Sequence, residues 1–199
     1  MSDEETLAVY ATYAADYAKR FAQDKPDVHL RKFMAVLPTQ ARVLDLGCGN
    51  GRTTGFMVRA GIETEGWDAS PEMAALGAKQ HDVDIKVATF ADLDAVDTYD
   101  GIFANFSLLH APKSEMPDYL ARIARALKPG GHLHIGLKMG KGETRDKLGR
   151  FYAYYSDPEI TGLLNDVGLP SIDRSYGADV GLDGETAPWI ILLAQKAEP

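Results

Sequence analysis

Residues 43–52 read VLDLGCGNGR, an apolar run that leads directly into a loop in which every second residue is glycine. The loop contains Gly47, Gly49 and Gly51, and an acidic residue, Asp45, precedes them. Glycine packs no side chain and loses much backbone entropy when it is ordered, so three glycines in one loop indicate that another group approaches the backbone closely. The apolar run before the loop predicts a buried strand, which places that group at the end of a sheet.

Strand-like and helix-like segments alternate along the rest of the chain. Four further strands are predicted at IETEGWD, DIKVATF, YDGIFANF and HLHIGLK, and helices at NGRTTGFMVRAG, SPEMAALGAKQ and SEMPDYLARIARAL. A helix at SDPEITGLLNDVG and two last strands, SIDRSYG and WIILLAQK, follow. Alternation of this kind is typical of βαβ units and a mostly parallel sheet covered on both faces. The sequence predicts one α/β domain.

The composition is that of an ordinary globular protein with an acidic balance. The 199 residues are 45% hydrophobic and 25% charged, which suits a single domain with a sizeable core. The formal net charge of -8 disfavours a nucleic-acid partner, because such a protein needs a cationic face. No apolar run approaches the length of a membrane span or of a signal-peptide core, so we expect a cytoplasmic protein without a membrane partner. Cys48 is the single cysteine, which excludes an internal disulfide, and no metal site is predicted.

Other residues follow the later strands at the same edge of the predicted sheet. Ligands of an open parallel sheet bind at the carboxyl ends of its strands. Asp68 ends the second strand, where a carboxylate can accept hydrogen bonds from both hydroxyls of a ribose. The residues that follow the third and fourth strands are Phe90 and Ala91, an apolar wall for an adenine ring, and Asn105, Phe106 and His110.

The glycine loop departs from the loops of two other nucleotide-binding classes. A dinucleotide fingerprint, G-x-G-x-x-G, needs glycine at position 52, where this chain has Arg52. A phosphate-binding loop needs G-K-[ST], which does not follow here. The phosphate loop is therefore excluded, and an NAD-dependent oxidoreductase stays an alternative.

Together these segments resemble the motifs of the class I S-adenosylmethionine-dependent methyltransferases. VLDLGCGNGR is similar to the first motif of that family, GWDAS to the second, and YDGIFANFSLLH and LKPGGHL to later landmarks. SLLH and the stretch after the fifth strand resemble small bacterial methyltransferase-domain proteins of a tellurite-resistance-like group. The resemblance implies a Rossmann-like three-layer sandwich, with a seven-stranded, mostly parallel sheet whose last strand is antiparallel. It also implies S-adenosylmethionine as the cofactor.

The resemblance further implies roles for the site residues. Gly47, Cys48 and Gly49 would pass close to the methionyl part of the cofactor, and Asp68 would hold its ribose. Asp45 lies where a carboxylate could reach the cofactor's ammonium group. The predicted cofactor-binding set is Tyr17, Asp45, Gly47, Cys48, Gly49, Arg52, Asp68, Ala69, Met73, Phe90, Ala91, Asn105 and Phe106.

His110 is the predicted catalytic residue. An imidazole near the methyl acceptor could remove a proton from an acceptor hydroxyl or thiol, whereas the alternative is a structural histidine at a strand–helix junction. Tyrosines of the N-terminal helix have two interpretations as well. Either Tyr13 or Tyr17 reaches the methionyl carboxylate, as in lid helices of similar proteins, or the helix only packs on the sheet edge.

The predicted organisation is one methyltransferase domain in three parts. Residues 1–38 would form a helical lid, 39–138 the cofactor-binding core, and 139–199 a substrate-cap loop, a helix and a terminal β-hairpin. Charged and aromatic residues after the fifth strand would either cap an anionic or aromatic acceptor or form a solvated loop; they are Lys138, Arg145, Arg150, Tyr152 and Tyr155.

The predicted reaction is direct methyl transfer from S-adenosylmethionine to an O, S or N nucleophile of a small-molecule acceptor. The fourth strand is followed by NFSLLH and not by Asn-Pro-Pro-Tyr, the tetrapeptide that holds planar amines in methyltransferases acting on base nitrogens. A non-catalytic S-adenosylmethionine-binding protein is the alternative from another functional class.

Overall fold

The fold is a seven-stranded sheet with helices on both faces. The computed structural model describes residues 3–20 and 24–198, with the backbone alone for residues 15–18. In chain order the strands are β1 (Arg42–Leu46), β2 (Glu63–Asp68), β3 (Ile85–Val87), β4 (Tyr99–Asn105), β5 (Leu127–Lys138), β6 (Glu143–Arg145), β7 (Phe151–Ala153), β8 (Ser171–Val180) and β9 (Thr186–Gln195). The helices are α1 (Glu4–Arg20), α2 (Val28–Val36), α3 (Arg52–Arg59), α4 (Pro71–His81), α5 (Met116–Ala126) and α6 (Asp157–Asp166).

The strand order of the main sheet is β3-β2-β1-β4-β5-β9-β8. β3, β2, β1, β4 and β5 pair in parallel, while β9 is antiparallel to both of its neighbours. This confirms the predicted seven-stranded sheet with an antiparallel last strand. β1 and β4 are adjacent, and the chain winds outward from them on both sides, so their carboxyl ends form the switch point at which such sheets bind ligands.

The helices begin where the sequence provides capping residues. The Ser70 hydroxyl accepts a hydrogen bond from the Met73 amide at the start of α4, and Pro71 occupies the first turn. At the start of α6, Ser156 and Glu159 form a reciprocal capping box. Capping of this kind satisfies the amide groups that a helix N-terminus leaves without an intrahelical partner.

The core has a separate cluster of side chains on the face covered by α2. Leu30 and Phe33 of α2 are buried there, and the Phe33 ring lies 5.2 Å from the ring of Phe103 in β4. The prediction that residues 1–38 form a lid is therefore wrong for α2, because its apolar face is part of the core. α1 alone of the two N-terminal helices lies over the sheet edge that binds ligands. No helix of the described ranges is long and apolar enough to cross a bilayer.

The KPGG segment does not lie between α5 and β5 as predicted. α5 ends at Ala126, and β5 begins at Leu127, so KPGG is the irregular start of the strand itself. The register shifts here between Tyr99 and Gly101 of β4, as it does at a β-bulge. β3 is also shorter than predicted and gives way to a single 3-10 turn over Phe90–Asp92.

The stretch after β5 forms a β-hairpin where the sequence predicted a loop or short excursion. β6 and β7 pair antiparallel, with Glu143 opposite Ala153 and Arg145 opposite Phe151. The aromatic run FYAYY favours strand structure, which explains why an irregular loop is not formed.

Candidate active site

A deep pocket opens at the carboxyl ends of β1, β2 and β4, beneath α1. It encloses about 1220 Å³ of space, including the solvent at its mouth. The predicted site residues that line it are Asp45, Gly47, Cys48, Gly49, Arg52, Asp68, Ala69, Met73, Phe90, Asn105, Phe106 and His110. The strand ends therefore bring most of the predicted set together.

Gly49 keeps the floor of this pocket open. Its φ of 57° is a left-handed conformation, and a Cβ added there would meet nothing within 4 Å. Its amide donates a hydrogen bond of 2.8 Å to the Asp68 carboxylate. The left-handed backbone at Gly49 therefore favours glycine, and no side chain projects into the pocket at this position.

Gly51 is present for a different reason. A Cβ at this position would lie 2.7 Å from Val83 Cγ2 and 2.8 Å from Ile85 Cδ1, which are core side chains beyond the loop. The third glycine of the loop therefore allows the start of α3 to pack on its neighbours. Steric packing therefore explains the glycine at position 51, so the prediction that a ligand approaches all three glycines does not extend to Gly51.

Asp68 is fixed at the end of β2 by the backbone on both sides. One carboxylate oxygen accepts from the Gly49 amide at 2.8 Å, and the other accepts from the Ser70 amide at 2.9 Å. Burial raises the pKa of this carboxyl group, and the two backbone hydrogen bonds oppose the rise. The acid is held in one orientation in the pocket wall.

Asp45 is the second carboxylate of the pocket and is only 3% exposed. The Thr54 hydroxyl donates a hydrogen bond of 2.8 Å to it. Burial raises the pKa of Asp45 to about 7, and the charge of Asp68 adds to the rise. When both are ionised, the two carboxylates that line this pocket create a field that favours a cationic ligand.

The wall expected to face adenine is formed by Phe90 and not by Ala91. Phe90 starts the 3-10 turn and lines the pocket, whereas Ala91 is exposed and its carbonyl accepts a hydrogen bond of 2.9 Å from Arg122. The turn is fixed by Thr89 and Asp92, which cap each other reciprocally. This tight turn points successive side chains in different directions, so the predicted place of Ala91 in the wall is wrong.

His110 is held at the opposite side of the pocket by two hydrogen bonds. Its Nδ1 lies 2.7 Å from the carbonyl of Phe151, which can only accept, so Nδ1 carries the proton. Nε2 is then the acceptor for the Tyr10 hydroxyl at 2.8 Å. Burial lowers the pKa of His110 to about 4, which makes the imidazole neutral at pH 7.

The β6–β7 hairpin and α1 support this histidine through a buried ion pair. Arg150 and Asp146 of the hairpin are nearly inaccessible and lie 2.6 Å apart. Arg150 also donates to the Tyr10 hydroxyl at 3.2 Å, and the Arg145 side chain at the hairpin surface pairs with Asp3 at 2.7 Å. The first turns of α1 are therefore fastened to the hairpin.

Of the tyrosines on α1, Tyr10 reaches the pocket. Tyr13 is 37% exposed and lies outside the lining, and the side chain of Tyr17 lies outside the described residues.

Burial beside Asp45 and Asp68 raises the pKa of the Cys48 thiol well above its usual range, so Cys48 is not a thiolate nucleophile.

Several lining residues were not predicted. They are Asp3, Thr6, Leu7, Tyr10, Asn50, Thr53, Ala88, Thr89, Phe103, Ser107 and Ala111. The helical spacing of Leu7 and Tyr10 placed both on one apolar face, and that signal was available in the sequence. Thr6 gave no such signal, although its hydroxyl accepts a hydrogen bond of 2.8 Å from the Phe151 amide.

Comparison with known proteins agrees with this geometry. A family profile described as "Methyltransferase domain" matches residues 43–131. The chain is 36% identical over 104 residues to a ubiquinone biosynthesis O-methyltransferase of Xanthomonas oryzae pv. oryzae. The aligned region makes up 48% of this chain and 42% of that protein. The chain spans about half the length of the curated relatives that it matches.

Two solved structures share the fold across nearly the whole chain. One is the 1,6-didemethyltoxoflavin-N1-methyltransferase of Burkholderia thailandensis, solved with 1,6-didemethyltoxoflavin and S-adenosylhomocysteine. The match covers 100% of this chain and 92% of that chain, with a TM-score of 0.71 and 24% identity. A TehB-like methyltransferase of Corynebacterium glutamicum covers 95% of this chain and 99% of its own, with a TM-score of 0.68 and 20% identity.

The fold and the pocket define a Rossmann-like α/β protein whose ligand lies across the switch point of its sheet. Within this class, residues 43–131 match a methyltransferase domain. The whole chain has the fold of solved methyltransferases.

Proposed function

We propose that this protein transfers the methyl group of S-adenosylmethionine to a small-molecule acceptor. One observation carries the proposal: two carboxylates, the buried Asp45 near the end of β1 and the half-buried Asp68 at the end of the adjacent β2, line the same pocket. S-adenosylmethionine brings a ribose and two positive groups, an ammonium and a sulfonium. A pocket with this acidic lining suits such a ligand better than it suits a pyrophosphate.

The pocket residues fit the cofactor part by part. Asp68 would accept hydrogen bonds from the ribose hydroxyls, Asp45 would face the ammonium, and Phe90 would flank the adenine. Gly49 leaves the space that the methionyl part would take, since no side chain projects there. When bound, the cofactor supplies a methyl group already activated by its sulfonium.

Because the methyl group arrives activated, the protein's own contribution is mainly positioning and exclusion of water. His110 suits a positioning role, since it lies in the pocket lining and both of its ring nitrogens are bonded within the protein, to the Phe151 carbonyl and to the Tyr10 hydroxyl. A histidine with a pKa of about 4 stays neutral at pH 7 and holds a proton weakly. We therefore assign His110 the task of fixing Tyr10 and the hairpin in the wall that would face the acceptor.

A small molecule is the acceptor favoured by the shape of the site. α1 and the hairpin flank the pocket on the side of His110, and a pocket beneath a helix suits a small molecule better than a polymer. The overall charge of -8 is also unfavourable for nucleic acid. Two of the three relatives named above have names that refer to small molecules, the ubiquinone biosynthesis O-methyltransferase and the 1,6-didemethyltoxoflavin-N1-methyltransferase.

The test is calorimetric titration of the protein with S-adenosylmethionine, S-adenosylhomocysteine and NAD. We expect micromolar dissociation constants for the first two, about -8 kcal/mol at 1 μM, and no heat with NAD. Asp68→Ala should weaken binding of both by at least tenfold, because it removes the ribose acceptor.

The control is Asp100→Ala, which removes an acid at the opposite end of β4, where it pairs with Lys128. This variant should bind as the wild type does. Binding of NAD alone would overturn the proposal in favour of an oxidoreductase. Binding of the cofactor without transfer to any acceptor would favour the non-catalytic alternative.

A further inference from the structure

Beyond His110, aromatic side chains of the hairpin and of the sheet pack against residues that line the cofactor pocket. Tyr152 packs with its ring centroid 4.7 Å from that of His110. On the sheet, Trp189 of β9 packs edge-on against Phe106, with 6.4 Å between the ring centroids. Phe106 and His110 both line the cofactor pocket, so this aromatic cluster adjoins it.

Lys138 is the cation of this aromatic cluster. It ends β5, opposite Trp189 in the sheet register, and its ammonium lies 3.8 Å from the centroid of the Tyr152 ring. Within the described residues, no carboxylate lies at ion-pair distance from it; Asp183 and Asp146 act from further away. Burial lowers the pKa of Lys138, so a charged partner would stabilise its ammonium form.

The neighbouring cations are already engaged. Arg150 is paired with Asp146, and Arg145 is paired with Asp3 and Glu5. Lys138 is therefore the cation of the hairpin region best placed to receive an anion from a ligand. Its surroundings of aromatic rings favour a flat ligand, since ring faces and edges pack well against another conjugated system.

We propose that Lys138 binds an anionic group of the methyl acceptor and that the acceptor is an aromatic or similarly conjugated acid. The inference rests on the proposed function, because it places this acceptor next to the cofactor pocket. Lys138 is a specificity residue in this scheme, and His110 positions the wall of the pocket beside it.

The experiment titrates the protein saturated with S-adenosylhomocysteine, using aromatic acids and their primary amides as matched pairs. The pairs are benzoate and benzamide, 4-hydroxybenzoate and 4-hydroxybenzamide, and 3,4-dihydroxybenzoate and its amide. We expect at least one acid to bind at least tenfold more tightly than its amide. Lys138→Met should abolish that preference, and Lys138→Arg should retain part of it.

Lys86→Met is the matched control. Lys86 also lies 3.8 Å from the centroid of an aromatic ring, that of Trp67, but at the far edge of the sheet. This variant should keep the preference for the acid. The idea is overturned if no acid is preferred to its amide by the wild type, or if the preference survives in Lys138→Met.

The two proposals fail in different ways. Lys138→Met should bind S-adenosylhomocysteine with unchanged affinity, because Lys138 lies outside the cofactor pocket. Loss of the acid preference with intact cofactor binding supports the acceptor proposal. A wild-type protein that binds no S-adenosylhomocysteine would contradict the proposed function, and the same acid and amide pairs would then test Lys138 in the protein alone.

Discussion

The two sides of the pocket are built in different ways. On the cofactor side, Gly49 and Asp68 follow neighbouring strands and lie 19 residues apart in sequence. On the acceptor side, Tyr10 meets His110 across 100 residues and Arg150 across 140. The sheet register determines the first side, whereas the second depends on how α1 and the hairpin pack against each other. Damage to one side should therefore leave the other largely intact.

The largest effect is expected from Arg150→Met, which leaves Asp146 as an unpaired buried charge. We expect the free energy of unfolding to fall by about 3–5 kcal/mol, because removal of one partner of a buried ion pair is costly. Chemical denaturation measures this change. Affinity for S-adenosylhomocysteine should change little in the variant that remains folded, since the cofactor side does not contact this pair.

Two further variants sharpen that result. Asp146→Leu combined with Arg150→Met removes both charges and should recover most of the lost stability. Arg145→Met removes an exposed arginine of the same hairpin and should cost less than about 1 kcal/mol. Equal losses in the two single arginine variants would contradict the distinction between the buried and exposed pairs.

On the cofactor side of the pocket, Asp45→Asn should change stability and cofactor binding in opposite directions. The pKa of Asp45 in the folded protein, about 7, lies above the ordinary value of 3.8, so the folded state holds the proton more tightly. Its contribution to stability is present below pH 4 and is lost as the pH rises through 7. At pH 8 the asparagine variant without cofactor should therefore be more stable than the wild type, by roughly 2–4 kcal/mol.

The same substitution should weaken binding of S-adenosylmethionine, since it removes the carboxylate that faces the ammonium. In the wild type the dissociation constant should fall as the pH rises from 6 to 8, because ionised Asp45 attracts the cation. The variant should lose most of this dependence. Thermal unfolding and titration at pH 5 and pH 8 test both effects, and an unchanged pH profile in the variant would contradict the assignment.

The smallest effect is expected from Tyr10→Phe, which removes the hydroxyl between Arg150 and His110. The loss of hydrogen bonds should lower the free energy of unfolding by about 1 kcal/mol. Cofactor affinity should stay within twofold of the wild type. Tyr13→Phe is the control, because Tyr13 is exposed and outside the pocket. A similar loss in both variants would show that the hydrogen bonds around His110 do not contribute to the free energy of unfolding.

The sequence predicted most of the pocket lining at the strand ends for a physical reason. Alternation of strands and helices places the strand ends at one edge, so Asp68 and the glycine loop could be located without any knowledge of packing. Ala91 was misplaced because the orientation of side chains in the turn after β3 depends on the hydrogen bonds between Thr89 and Asp92. A tight turn of this kind has no periodic pattern from which side-chain directions can be inferred.

The acceptor side was harder to predict for a related reason. Charged and aromatic residues after β5 were expected near the ligand edge, yet no pattern indicated that Tyr10 and His110 meet. That contact depends on the hairpin, which fixes α1 through residues such as Thr6. The sequence also did not show why position 51 is glycine, because the side chains that a Cβ there would meet, Val83 and Ile85, lie more than thirty positions further along the chain.

The ends of the hairpin segment are bonded to each other. The Tyr155 amide donates to the Lys138 carbonyl at 3.1 Å, and the Gly140 amide donates to the Tyr155 carbonyl at 3.2 Å. The chain therefore leaves the sheet and returns to nearly the same point, so we expect that the segment over residues 140–154 can change in length without a shift in the register of β5. Because this segment also holds α1 through Asp3, Thr6 and Tyr10, an exchange of its residues should reshape the His110 side of the pocket while the strand ends keep their places.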